Sequence, residues 1–550
     1  MANDEPYGTQ YDVVVIGGGV TGTGTLRDCA LRGLRALLVE RYDLCTGTSG
    51  RNHGLMHSGA RYAVTDVEGA AECVSENKIL RRIARHCVEE TDGLFVTLAD
   101  DDLGYQADFV SACRQAGITA EVIDPAQALS LEPALVPTLQ GAVRVPDAAI
   151  DPFRVAAANV LDARLHGAQV LTYHEVTGMI VEQDRVTGVR LLDKHTGQRR
   201  EVRAHVVINA AGIWGQQLLG QAGVRVKMFP AKGALLIFGR RLTNMVINRC
   251  RRPANADIVV PDGKVCMSGT TSDRVSLDTV DDMRVTEEEV RVLLAGASAL
   301  VPAAATTSVL RAYAGVRPLV ASDDDPTGRN ISRGIVCLDH GERDGVQGLL
   351  TITGGKMMTY RLMAERVTDL ACRQIGNNRP CVTAIEPLPG SNAEEDAGRQ
   401  DVTFSFAQRA ARERHGTMAG HIPADTDLQR ALVCECQGVS VGELQYAVEQ
   451  LQVCDLTTLR RRTRLGMGNC QGKLCSCRAA CLLGQIQGDI DLAQSDLYAF
   501  LDERWKGMKP VAWGDTLSEA QLIASIYQGL CGLGKAVAAT RRGRGKEEKS

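Results

Sequence analysis

Four cysteines stand in two close pairs near the C-terminal end of the chain. Cys434 and Cys436 are spaced C-x-C in "VCEC", and Cys470 and Cys475 are spaced C-x4-C in "GMGNCQGKLCSC". Four thiolates can hold a [2Fe–2S] cluster or a zinc ion, and the same residues can also be inert buried thiols. C-x-C is less typical of zinc, which usually takes C-x2-4-C with a second such pair. Gly466, Gly468 and Gly472 would let backbone N–H groups turn toward sulfur and stabilise its negative charge. Cys477 and Cys481 read as spares, with Cys477 near enough to compete with Cys475.

A second chemical signal lies at the other end. Gly17, Gly19 and Gly22 of "GGGVTG" fit G-x-G-x-x-G. The first glycine makes a tight turn, the second admits a pyrophosphate close to the backbone, and the third lets helix and strand pack together. Alone the motif is weak. Here "YDVVVI" (11–16) before it reads as a buried parallel strand, residues 20–33 read as a helix, and "RALLVE" (35–40) reads as the next strand. Glu40 closes that strand about 20 residues on, the place of a ribose-binding acid. The helix N-terminus would point its free N–H groups at the phosphates.

These motifs need elements to hold them. "AHVVINAAG" (204–212) and "GLLTITGG" (348–355) read as further buried strands ending in glycine. "GALLIFG" (233–239) and "ADIVVPDGKVCMSGTTS" (256–272) alternate, which suggests an inserted antiparallel substrate sheet. "PLPGSNAEEDAGRQD" (387–401) is rich in Pro, Gly and acids and is the main linker candidate. "LRRRTR" (459–464) reads either as a solvated helix face or as an attraction to a negatively charged cluster or acidic partner. The tail "RRGRGKEEKS" (541–550) reads as solvated.

Composition narrows the classes. At 550 residues the chain is too long for one ordinary core. Aromatics make up 4% and net charge is -4, which argues against base-stacking platforms and a basic field, so no nucleic-acid partner is expected. The N-terminus carries acids and no basic n-region, so it does not read as a signal peptide, and the eighteen cysteines are expected as reduced thiols. No apolar run reaches the ~18 residues needed to span a bilayer. Any membrane attachment is expected to be peripheral or through a partner.

The choice between NAD and FAD turns on the segment after the second strand. "ERYDLCTGTSGRNHGLMHSGARY" (40–62) is polar, glycine-rich and without periodicity. Thr46, Thr48, Ser49, Arg51 and Asn52 could hydrogen-bond a long cofactor, and such a segment suits a flavin fixed in place by its ring.

Long blocks then carry a resemblance. "VVVIGGGVTGTGTLRDCALRG", "GRNHGLMHSGARYAVTD", "DPFRVAAANVLDA", "VINAAGIWG", "FPAKGALL", "RAYAGVRPLVASDDDP" and "TITGGKMMTYRLMAE" resemble the FAD-dependent glycerol-3-phosphate dehydrogenases, over about residues 10 to 535. The C-terminal cysteines make the likeness closer to the anaerobic, multi-subunit branch. The resemblance implies oxidation of sn-glycerol 3-phosphate to dihydroxyacetone phosphate, with electrons passed to quinone. It implies a second flavoprotein subunit, B, a membrane-bound iron–sulfur subunit, C, and FMN, if present, on a partner subunit. It implies a Rossmann-type FAD domain with an inserted antiparallel substrate domain, like that of glycine and amino-acid oxidases, followed by a small ferredoxin-like [2Fe–2S] domain.

The family's motifs carry roles onto matching positions. Arg317 in "AGVRPL" matches the family's substrate arginine, and Arg61 and Tyr62 in "GARY" match substrate-contacting positions. Lys356 in "GGKMMTY" matches a lysine near flavin and substrate. His57 sits in the loop expected beneath the flavin ring and is the candidate general base, with His53 as its rival. Aerobic relatives carry a histidine where "AKGALL" has Leu235, so the base cannot be carried over directly. Ala211 and Gly212 match the third FAD-contacting strand end, and Gly354 and Gly355 would let backbone approach the isoalloxazine. The likeness makes Cys434, Cys436, Cys470 and Cys475 the cluster ligands.

The expected organisation is a FAD-dependent oxidoreductase domain over 10–385, with nucleotide-binding parts at about 10–90, 150–225 and 340–375. A linker over 386–430, the [2Fe–2S] domain over 431–485 and a C-terminal extension over 486–550 follow. Two rival readings remain open at this point. One is a flavin amine or amino-acid dehydrogenase subunit, whose substrate carboxylate would need no extra cations. The other is a non-catalytic electron-transfer subunit that holds flavin structurally.

Overall fold

Val13, Val14 and Val15 are all completely buried, which a strand permits only when both of its faces are covered. Each such side chain contributes about 1.5–3 kcal/mol on burial. The computed structural model describes residues 10–320, 334–391, 404–530 and 533. In it, β1 (Gln10–Ile16), α1 (Val20–Leu31) and β2 (Ala36–Val39) form a parallel βαβ unit, with Val13 opposite Ala36. The strand Arg199–Asn209 lies parallel on the other side of β1, and Leu349–Gly354 lies parallel beyond it. Gln169–Leu171 extends the sheet past β2. The three stretches expected to be buried strands therefore meet side by side, and the order reverses at β1, where open α/β sheets bind ligands.

One face of this sheet is covered by α1 and the helices Pro152–Leu165 and Tyr360–Ile375. Leu26, Val206, Ile352 and Val367 belong to the same core. α1 is buried almost all round, and Gly24 admits the Tyr360 ring, which would stand 2.8 Å from a Cβ there.

Among the described residues the second sheet, the one expected to be the substrate sheet, has nine strands. Met228–Phe238 pairs antiparallel with Val309–Val320 along its length, and the alternating stretch forms the hairpin Ile258–Asp262/Val265–Gly269. The sheet is not wholly antiparallel: Val246–Arg249 runs parallel to Gly93–Thr97. The chain enters this sheet on two separate excursions, and no hairpin sets the strand direction where they meet.

Beyond residue 404 a separate core gathers Leu444, Leu456, Leu459, Leu483 and Phe500. Part of the expected linker is folded. The Leu388 side chain is fully buried and its amide donates to the Ile83 carbonyl. Arg414, on the helix Phe406–His415, forms a buried ion pair with Glu443. Residues 392–403 of that linker, and the basic tail 541–550, lie outside the described residues.

Three arginines of the basic "LRRRTR" stretch, Arg461, Arg462 and Arg464, are engaged by carboxylates of this chain, so the stretch is not a solvated face. It ends the helix Leu456–Thr463, and Arg461 and Arg462 both pair with buried Asp43, in the loop after β2. Arg464 pairs with Asp151 at 2.8 Å and Asp262 at 2.7 Å. These ion pairs fasten the cysteine-bearing part to both the nucleotide and the substrate layers. Burial alone would raise the Asp43 carboxyl, but Arg462 and Arg461 outweigh it and hold the group below the ordinary carboxylate range.

Substituting Asp43→Asn leaves Arg462 with an uncompensated buried charge and is expected to cost about 3 kcal/mol. The check is a denaturant melt followed by limited proteolysis, which should find the segment beyond residue 404 released first. Because the folded carboxyl is depressed, the pair's stabilisation is full above the unfolded value of about 3.9 and is lost as pH falls below it. The difference between wild type and Asp43→Asn should therefore shrink in acid.

Candidate functional site

Helices in this chain are commonly capped by a side chain; Asp66, Asp102, Asp124 and Asp151 each cap one. α1 is different. Its N-cap is Gly19, with no side-chain cap, although the Val20 amide donates to Ser49 Oγ at 3.1 Å. The start of α1 opens into a cavity of about 1080 Å³. Gly17 reaches its turn with φ of 110°, and a Cβ at Gly22 would stand 1.9 Å from the Gly17 carbonyl oxygen. Gly22 is thus a packing residue behind the cavity wall, whereas Gly17 and Gly19 form the wall. Glu40 also lines the cavity. Its Oε2 accepts from the Gly18 amide at 2.7 Å and its Oε1 from the Tyr42 amide at 3.0 Å. Burial pushes its carboxyl up, against those two donors.

Thr46, Thr48 and Ser49 line the same space. The loop that carries them is fastened to the substrate sheet. Thr48 Oγ1 donates to the Val316 carbonyl, and Tyr313 Oη donates to the Asn52 carbonyl at 2.8 Å. A Cβ at Gly315 would stand 2.4 Å from the Arg51 carbonyl oxygen, so only glycine lets the loop lie this close. Ala211, Gly212, Gly354 and Gly355 complete the lining at the ends of their strands. Gly212 has φ of 55°, and no atom lies within 4 Å of the place a Cβ would take.

His57, Tyr62, Lys356 and Arg317 all line this cavity. His57 is buried and meets Tyr62 edge-on, with ring centroids 5.3 Å apart; His53 stands 5.8 Å away on its other side. Asn77 Nδ2 donates to the Met56 and His57 carbonyls and pins this loop. The Lys356 ammonium lies over the Tyr62 ring, 4.9 Å from its centroid. His53 Nδ1 accepts from the Leu55 amide at 3.1 Å. That bond leaves the neutral ring with its proton on Nε2, as a donor and not an acceptor.

Arg317 projects from Val309–Val320. It donates to Thr270 Oγ1 at 2.6 Å, to the Thr271 carbonyl at 3.2 Å and to the Lys232 carbonyl at 3.4 Å. Gly233 leaves room for the guanidinium, which would stand 2.6 Å from a Cβ there. Beneath it, Lys232 pairs with Glu289 at 2.7 Å, and Thr271 Oγ1 donates to the same carboxylate.

Arg61 is placed elsewhere. It does not line the cavity. Its Nη2 pairs with fully buried Asp257 at 2.9 Å, while Nη1 is buried without a hydrogen-bond partner. Burial would raise the Asp257 carboxyl; Arg61, the Ala254 amide and Arg251 bring it below the ordinary range.

The reading of the sequence missed Tyr313, Thr270 and Thr271. Tyr313 and Gly315 sit four and two residues before Arg317, on the same face of one strand, and that alternation was the available signal. Nothing local marks the two threonines, since they reach Arg317 only across the sheet.

The four predicted cysteine ligands gather near the small sheet Leu432–Cys434/Val439–Ser440. Cys475 hydrogen-bonds with Cys434 and with Cys470, and Cys436 hydrogen-bonds with Cys470. The neighbouring Cys475 thiol is the main cause that holds the Cys434 and Cys470 thiols below the ordinary thiol range, and the Gly466 and Gly472 amides add to the effect. The Cys475 thiol is raised correspondingly. Among the described residues, no three His, Cys, Asp or Glu side chains are arranged to hold a single metal ion. No helix among them is long and apolar enough to cross a membrane.

Residues 12–361 match the family model described as FAD dependent oxidoreductase. The chain is 58% identical to the A subunit of the anaerobic glycerol-3-phosphate dehydrogenase of Escherichia coli strain K12, over 95% of this chain and 97% of that one. It is 52% identical to the corresponding A subunit of Haemophilus influenzae, over 95% and 93%. Among solved structures, the FAD complex of the glycerol-3-phosphate dehydrogenase from Bacillus halodurans superposes with a TM-score of 0.68 at 24% identity, covering 92% of this chain and 97% of that one. Glycine oxidase from Geobacillus kaustophilus gives 0.55 at 22% identity, over 66% and 95%. The chain belongs to the FAD dependent oxidoreductase family, among the A subunits of the anaerobic glycerol-3-phosphate dehydrogenases.

Proposed function

We propose that this chain oxidises sn-glycerol 3-phosphate to dihydroxyacetone phosphate in this cavity. The observation that carries the reading is that a phosphate-suited arginine, Arg317, lines the same cavity as His57, Tyr62 and Lys356, a cavity that begins at the α1 glycines. The residues fit FAD. Gly17 and Gly19 leave the approach to α1 free of side chains, Gly212 faces open space, and Ser49 and Glu40 supply polar edges. Bound there, FAD supplies the two-electron acceptor for the C2–H bond.

The protein's own groups do the rest. Arg317 holds the substrate phosphate with paired N–H donors, which suits a dianion. Lys356, which lines the same cavity, adds a second positive charge. A ring nitrogen of His57 accepts the proton from the C2 hydroxyl as the C2–H bond breaks and its electron pair leaves, giving the ketone. His57 is preferred to His53 because the Leu55 amide already occupies His53 Nδ1. Arg61, engaged by Asp257, is left out of the phosphate clamp and braces the loop that ends in Tyr62.

In the same reading, Cys434, Cys436, Cys470 and Cys475 hold a [2Fe–2S] cluster in a ferredoxin-like domain. The support is the donor chemistry: Cys475 meets Cys434 and Cys470, Cys436 meets Cys470, and the Gly466 and Gly472 amides donate to Cys434 and Cys470. Such a centre takes electrons one at a time and would pass them to partner subunits and then to quinone at the membrane. The cytoplasmic-face placement and the partner subunits B and C belong to this proposal. Its support is that the Escherichia coli and Haemophilus influenzae relatives are each named as one lettered subunit of a larger enzyme.

Arg317→Gln should raise KM for sn-glycerol 3-phosphate about 30- to 100-fold, the loss of a charge-assisted pair worth about 2–3 kcal/mol, with full FAD content by absorbance. An unchanged KM would sink the phosphate assignment. His57→Asn should lower kcat about 10²- to 10⁴-fold at nearly unchanged KM, whereas His53→Asn should leave the proton step intact. Cys470→Ser should remove the iron and the low-temperature EPR signal of the dithionite-reduced chain while FAD stays bound. Retention of both would refute the ligand set.

A further inference from the structure

A second cavity, of about 870 Å³, lies between the substrate sheet and the part beyond residue 404. It shares a wall with the flavin cavity at Arg51, Asn52, His53 and Arg461, but Arg317 and Lys356 do not reach it. Cys436 also lines it. The proposed oxidation makes no use of it.

Its charge is unbalanced. Eleven arginine and lysine side chains line it against five carboxylates. Some cations are neutralised locally: Arg464 by Asp151 and Asp262, Arg241 by Glu89, and Arg311 by Glu503. Others are not. Among the described residues Arg51, Arg85, Lys264, Arg412 and Arg460 have no carboxylate at ion-pair distance; Lys264 and Arg412 rest over the Phe406 and Phe404 rings. Arg460 is the extreme case. Its Nε is sealed from solvent without a hydrogen-bond partner. Burial first, and then the guanidiniums of Arg311 and Arg461, press its pKa well below the ordinary value.

Like charges crowded in a poorly solvated space repel strongly, and an uncompensated cation there is costly. Nothing in the packing requires so many of them, so a mobile counter-charge is the economical explanation. Arginine suits planar oxyanions by offering paired donors. The wall also carries Pro152, Phe153, Val265 and Met267, so the space suits an anion with an apolar body. We infer that this cavity is a binding site for a phosphate-bearing ligand, anchored by Arg460 with Arg85 and Arg51, and separate from the substrate's phosphate site. The inference stands whether or not the substrate assignment holds, because it uses none of the residues of that site.

The test is titration calorimetry on the FAD-loaded full chain in a buffer free of phosphate and sulfate, with pyrophosphate and AMP as probes. One site is expected that Arg317→Gln leaves intact, that Arg460→Gln weakens at least tenfold, and that Arg460→Lys partly restores. Arg85→Gln provides a second variant on a different element, should Arg460→Gln lose its FAD or its far-UV circular dichroism. Tighter binding of AMP assigns an organic phosphate to the site, and tighter binding of pyrophosphate assigns an inorganic anion; both support the inference. It is overturned if neither probe binds wild type. It is equally overturned if binding vanishes in Arg317→Gln yet persists in Arg460→Gln and Arg85→Gln.

Discussion

The turn between β1 and α1 allows no side chain. A Cβ on Gly22 would lie 1.9 Å from the carbonyl oxygen of Gly17, and Gly17 itself holds φ of 110°. This close contact aims α1 at the end of β1 and leaves its first turn without a side-chain cap. The cavity begins there because the backbone is bare there. Two buried sheets, the loop after β2 and the strand ends at Ala211 and Gly354 are all arranged around that opening.

The second constraint is the grip of the substrate sheet on the cofactor loop. One face of a single strand presents Tyr313, Gly315 and Arg317 in alternation. Tyr313 ties down Asn52, Gly315 admits the Arg51 backbone, and Arg317 lines the cavity. The residue suited to binding a phosphate is therefore positioned by the same strand that holds the loop beside the cofactor space. A shift of that strand would move Arg317 and the loop together.

The third element is a seam of charge. Asp43, Asp151 and Asp262 come from the nucleotide and substrate layers, and Arg461, Arg462 and Arg464 come from one short helix end. The pairs are buried or nearly so, which makes them sensitive to geometry and costly to break singly. They bring Cys436 to the edge of a cavity that adjoins the flavin space.

Much of the architecture was legible in the sequence because it is local. Buried parallel strands show as runs such as "DVVVI", glycine motifs mark turns by their spacing, and the cysteine pairs lie close along the chain. What tertiary structure alone decided is where distant side chains point. Arg61 and Arg317 look alike as isolated cations, yet Asp257 takes the first and the cavity receives the second. The "LRRRTR" run looks solvated until the carboxylate of Asp43, more than four hundred residues earlier, is brought against it. The parallel pairing of Val246–Arg249 with Gly93–Thr97 and the threonines behind Arg317 are likewise invisible along the chain. Periodicity and backbone freedom are properties of neighbours in sequence, whereas the partner of a charge is set by packing, which only the folded chain determines.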